Sequence, residues 1–139
     1  MNSPVFTFDI PVQAVPKGRP RVAKTKSGVR AFTPDKTRKF ESYIKGWLNL
    51  RVTKPLETPL RMDMKFFFPV PKSYTIRDRN AALSGMKKFT KKPDLDNLEK
   101  AILDAAEGVL FLNDSQVCQK FSSKAYDVTP SIYIEVFEI

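Results

Sequence analysis

Leu60, Met62, Met64, Phe66 and Phe68 alternate with Arg61, Asp63, Lys65 and Phe67, a period of two that suits a β-strand with one buried face. Two other runs repeat the pattern. Phe6, Phe8 and Ile10 oppose Val5, Thr7 and Asp9, while Ile132, Ile134 and Val136 oppose Tyr133, Glu135 and Phe137. Thr33-Pro34-Asp35 opens a stretch carrying Phe40, Tyr43, Ile44, Trp47 and Leu48 at helical spacing to about Arg51, and a β-rich run covers Gln116 to Tyr126. The order β, basic loop, α, β, basic loop, α, β, β predicts an α+β fold: a single domain over residues 1–139, with a mixed β-sheet, two main helices and two basic loops. The aromatic and methionine stripes belong to its core. Phe67 should face away from its neighbours and be exposed, and Cys118 should be a small buried residue.

Charge narrows the partner. The chain carries a formal +9, which points to an acidic ligand such as nucleic acid. It is concentrated in two segments. Lys17 to Lys39 holds nine basic residues and one acid, and Lys72 to Lys92 holds seven and one, so the rest of the chain is net acidic. The first segment is punctuated by Pro16, Gly18 and Pro20, with a Ser27-Gly28 turn that would close a small hairpin. The second is expected as a loop ending on Lys87-Lys88 and Lys91-Lys92. Lys17, Arg19, Arg21, Lys24, Lys26, Arg30, Lys87, Lys88, Lys91 and Lys92 are therefore the candidate phosphate contacts. Solvated surface charge is the plainer alternative for both segments.

The absence of histidine removes Ser-His and Cys-His nucleophiles and His-containing zinc sites. A lone cysteine excludes an intrachain disulfide and a thiol-only zinc site in the monomer. What remains is oxygen chemistry. In Lys92-Pro93-Asp94-Leu95-Asp96-Asn97-Leu98-Glu99-Lys100, proline sends Lys92 toward extended backbone, so Asp94 and Asp96 should share a face. A helix over Asn97 to Glu107 should follow, with Leu95, Leu98, Ile102, Ala105 and Ala106 along one apolar stripe and Gly108 as its stop. It rises roughly 16 Å and the residues after it can reach about 20 Å, so Asp114 in Asn113-Asp114-Ser115-Gln116-Val117 could return beside the other two acids. Carboxylates of this kind suit Mg²⁺ or Mn²⁺. Lys100, one turn beyond Asp96, could stabilise charge on a phosphorane; otherwise it pairs with Asp96 as an exposed salt bridge. Asp104 should face solvent. For Asp96 alone, a capping box with Glu99 is the simpler role; Asp94 and Asp114 are what argue for phosphodiester chemistry.

These residues, Asp94-Leu95-Asp96-Asn97-Leu98-Glu99-Lys100 followed by Leu112-Asn113-Asp114-Ser115-Gln116-Val117, resemble the signature of the RusA family of Holliday junction resolvases, often carried by bacteriophages and prophages. The resemblance is strong over residues 93 to 117. It implies that Asp94, Asp96 and Asp114 are the metal-binding catalytic acids and Lys100 the essential lysine. Members often carry a second acid where this chain has Asn113. It further implies a homodimer that binds four-way DNA junctions and cuts two strands symmetrically with Mg²⁺, Mn²⁺ substituting, in recombination and repair. The residues alone support a metal-dependent enzyme acting on nucleic acid; alternatives are a less selective nuclease on flaps, forks or RNA, and a non-catalytic architectural DNA-binding protein. No apolar run approaches a membrane span, and the first residues lack a signal-peptide order, so a soluble intracellular protein is expected, and the resemblance implies the cytoplasm of a bacterial cell.

Overall fold

The computed structural model describes residues 3–18, 21–32 and 34–139, with backbone alone at 21, 23 and 30–32. Strand β1 is Phe6–Ile10, and β2 (Arg21–Thr25) and β3 (Gly28–Phe32) form a separate hairpin. Helix α1 (Asp35–Asn49) leads to β4 (Leu60–Pro69), α2 (Ile76–Ser84) and α3 (Leu95–Ala106). A 3₁₀ turn at Asp114–Gln116 opens β5 (Val117–Asp127), and β6 (Ser131–Glu138) closes the chain. The main sheet has the order β1-β6-β4-β5. In this sheet β4 and β5 run parallel while β1–β6 and β4–β6 are antiparallel, so the sheet is mixed and the fold is α+β, as expected.

The three alternating runs stack in register. Phe8 lies opposite Ile134, which lies opposite Met64; Ile10 lies opposite Ile132, which lies opposite Phe66. These six side chains are buried, so every second residue of three strands adds to one apolar face. Helix α1 sets Phe40, Ile44 and Leu48 into the same core, and α3 sets Leu98, Ala101, Ile102, Ala105 and Ala106 there. The alanines allow a close approach between α3 and α1. Trp47 meets Phe8 edge-on, with the Arg51 guanidinium 3.4 Å over its ring.

Several expectations need correction. The second basic loop contains a helix, α2, so the described residues form three main helices rather than two. Thr75 caps it by accepting the Asp78 N–H at 3.1 Å, and Gly85 ends it in the left-handed region at φ +83°. Only Ala82 of α2 is buried, which is why no apolar stripe announced it. The hairpin turns at Lys26-Ser27, with Gly28 opening β3 at φ +128°. Phe67 is half-buried, and Cys118 is exposed, its thiol donating to the Gln116 carbonyl. Among the described residues no helix is long and apolar enough to cross a membrane.

Candidate active site at the start of the third helix

Helix α3 begins two residues earlier than expected. Asp94 is its N-cap residue, extended at φ −75° and ψ 146°, and Asp96 already lies in the first turn. Asp94 is thus the last extended residue and Asp96 stands in the first helical turn, rather than both lying on one face of a strand. Neither forms the capping box: Asp94 makes no side-chain cap bond, and Asp96 Oδ1 accepts only its neighbour's N–H, from Asn97 at 2.9 Å. Both acids are exposed.

Strand β5 holds this helix start in place. Lys124 Nζ donates to the carbonyls of Lys91 (2.6 Å) and Pro93 (2.9 Å), pinning the coil that delivers Asp94. Four residues earlier Lys120 pairs with Glu99 at 3.3 Å, and Ser122 Oγ donates to the same carboxylate. Lys120, Ser122 and Lys124 are two apart and share one face of the strand. That spacing was visible in the sequence, although nothing there named α3 as its partner.

Asp114 lies elsewhere. It opens the 3₁₀ turn, where Asn113 Oδ1 accepts the Ser115 N–H and Gln116 Oε1 accepts the N–H groups of Leu112 and Asn113, each at 2.9 Å. Gln116 Nε2 donates to the carbonyls of Leu56 and Thr58, immediately ahead of β4. Asp94, in contrast, shares a cavity with Phe68 and Pro69 at the far end of β4. The strand has ten residues, roughly 30 Å of chain, so Asp114 and Asp94 stand at opposite ends of it and Asp114 does not return beside the other two acids. Leu110 and Gly108 explain the shortfall: the chain turns back on the helix end through Leu110 N–H to Ala106 and Gly108 N–H to Phe111, and that reach is used up there. Among the described residues no three His, Cys, Asp or Glu side chains cluster as a ready cation cage. The donor chemistry of Asp94 and Asp96 nonetheless suits a hard divalent ion, which takes one or two carboxylates and completes its shell with water and phosphate oxygens.

The lysines sort into two kinds. Lys17 is half-buried: its Nζ bonds Glu41 at 2.7 Å and Asp104 at 3.0 Å, and its backbone N–H bonds the Asn97 carbonyl. Burial pulls its pKa down, but the hydrogen bonds and charges of Glu41 and Asp104 outweigh this and leave it raised. Asp104 therefore faces this lysine rather than solvent. It also meets Lys100 at 3.7 Å, so Lys100 leans along the helix to Asp104 and not back to Asp96. Lys24, Lys26, Lys87, Lys88, Lys91 and Lys92 are exposed. Arg21 and Arg30 fall in β2 and β3, with backbone alone described, and Arg19 lies outside the described residues.

Lys87 and Lys91 stand 4.6 and 5.4 Å from the centre of the Tyr74 ring, whose hydroxyl meets that of Tyr126 at 3.0 Å. The hydrogen bond with Tyr126 lowers the Tyr74 pKa; burial opposes this and the two lysine charges reinforce it. Burial, then the hydrogen bond and charge of Tyr74, push Tyr126 up to about 12. An ultraviolet titration should show one tyrosinate forming early and one near pH 12, and Tyr126→Phe should abolish the late step. For Tyr126, whose neutral form the fold favours, the stabilising contribution is complete below pH 10 and lost as pH climbs to about 12. Tyrosines all titrating together near pH 10 would contradict this pairing.

Two comparisons with known proteins bear on this surface. The chain is 30% identical over 135 residues to the uncharacterized protein YqaN of Bacillus subtilis (strain 168), covering 95% of each. It also matches the family described as Endodeoxyribonuclease RusA over residues 11–137, a span that takes in α1, α3, both basic segments and all three acids. The chain therefore belongs to the RusA endodeoxyribonuclease family.

Proposed function

We propose that this protein is a divalent-metal-dependent endonuclease that resolves four-way DNA junctions, acting as a homodimer by paired symmetric nicks in recombination and repair. The observation that carries the reading is the start of α3: two exposed carboxylates, Asp94 and Asp96, without a protein cation partner among the described residues, at the end of a coil bearing Lys87, Lys88, Lys91 and Lys92. Asp94, Asp96 and Asp114 would hold Mg²⁺ or Mn²⁺. When bound, such an ion neutralises phosphate charge and acidifies water. Lys100 is exposed beside Asp96's turn, where it can neutralise charge gathering on the scissile phosphate, and Asp104 restrains its reach.

The distance between Asp114 and the other acids favours a site shared between two copies. A junction has two-fold symmetry, and a two-fold dimer places each copy's residues opposite their counterparts. Strand β5 lies at the edge of the sheet. Two such edges paired antiparallel would carry Asp114 of one copy toward Lys124 of the other, and so toward its Asp94. The test is a labelled four-way junction incubated with Mg²⁺, with cuts mapped on all four strands. Symmetric cuts in two opposing strands, with linear duplex and single strands left intact, are expected. Equal cutting of flaps and forks would mean a less selective nuclease, and no cutting with no specific Mn²⁺ site would mean an architectural protein.

A further inference from the structure

Beside Asp94 the surface opens into a cavity of about 550 Å³, within the size range of small-ligand sites. Its inner wall is aromatic. Phe68 and Tyr126 are buried there, and Phe89 stacks on Phe68 at 4.9 Å and leans on Tyr126 at 4.8 Å between ring centres. Its mouth is cationic, lined by Lys36, Lys91 and Lys92, all exposed. The exposed amides of Gln13 and Asn97 stand on the same rim, able to donate and accept hydrogen bonds.

We propose that this cavity receives one nucleotide drawn out of the base stack next to the phosphate to be cut. The proposal rests on the nuclease reading above. A base needs an apolar surface to replace its former stacking partners, its phosphates need cations, and its edge needs a few polar groups. Wall, mouth and rim supply these in that order, with the nearest acid, Asp94, at the same opening. The opening also bears on substrate choice. At a strand exchange the stack is already interrupted, so withdrawing a base costs less there than inside a continuous duplex. Uninterrupted duplex could then bind through its phosphates and still present no nucleotide to the cavity.

The test pairs a protein change with a substrate change. Junctions are made with a single abasic site at each position around the cut, and affinity is measured without divalent ion for wild-type and Phe89→Ala protein. Phe89→Ala should weaken binding of the intact junction roughly tenfold. At one position beside the cut, removing the base should weaken wild-type binding similarly and leave the variant unaffected. Thermal melting checks that Phe89→Ala is folded. Asn97→Ala, which alters an exposed side chain, should change which base is preferred at that same position. Penalties that multiply at every position, with unchanged base preference in Asn97→Ala, would overturn the proposal, as would failure to bind any junction. Cutting in Mg²⁺ is read separately: coupling without cutting removes the nuclease reading and keeps the cavity, and cutting without coupling does the reverse.

Discussion

Asp94→Asn and Asp114→Asn proteins should each fail to cut a four-way junction, and an equimolar mixture refolded together should nick it. Loss of either acid should reduce cutting at least about 10²-fold, the range seen when one charge-stabilising group is removed from other active sites. Binding should survive, because removing a carboxylate also relieves repulsion toward phosphate. Restoration follows from the placement of Asp114 at one end of β4 and Asp94 at the other. If each site draws Asp94 and Asp96 from one copy and Asp114 from its partner, a mixed dimer concentrates both lesions in one site and leaves the other whole. Half of the dimers in such a mixture are mixed, so about a quarter of all sites should work. The product should be a junction nicked in one strand, unresolved. Asp94→Asn mixed with Asp96→Asn is the control: both lesions fall on the same side of the shared site, and no activity should return. If the first mixture stays inactive while wild-type protein resolves junctions, the three acids act within one chain and the shared site is wrong.

What the sequence made legible follows from what local pattern can encode. The alternations of β1, β4 and β6 were readable because a strand buried on one face repeats its chemistry every second residue, and their registers then match Phe8, Ile134 and Met64 across the sheet. The stripe of α3 was readable for the same reason at helical spacing. Helix α2 was not, since it buries Ala82 alone and its start and stop, Thr75 and Gly85, sit inside a basic stretch. Lys17 illustrates a different limit. Its charge counted toward the basic loop, but its partners Glu41 and Asp104 come from α1 and α3, and no local pattern could pair them. For Asp114, contour length set how far the chain could travel, whereas the direction was decided by the Gln116 side chain holding the turn against Leu56 and Thr58.

Replacing Lys87, Lys88, Lys91 and Lys92 together by alanine should weaken binding to junction and duplex alike, and should do so through salt dependence. Each phosphate that the protein no longer neutralises lowers the magnitude of the log–log salt slope by about 0.9, so the four substitutions should remove roughly two to four units. The lower figure applies if Lys87 and Lys91 stay over the Tyr74 ring and only Lys88 and Lys92 reach the backbone. Lys17→Ala is the informative contrast. With its ammonium already bonded to Glu41 and Asp104, it should leave the slope nearly unchanged and instead destabilise the fold by about 1–2 kcal/mol, because two partly buried carboxylates are deprived of their shared cation. Circular dichroism melts report the second effect and fluorescence anisotropy across a salt series the first. A slope that falls with Lys17→Ala but not with the fourfold variant would put the DNA across the α1–α3 face rather than along the coil that leads to Asp94.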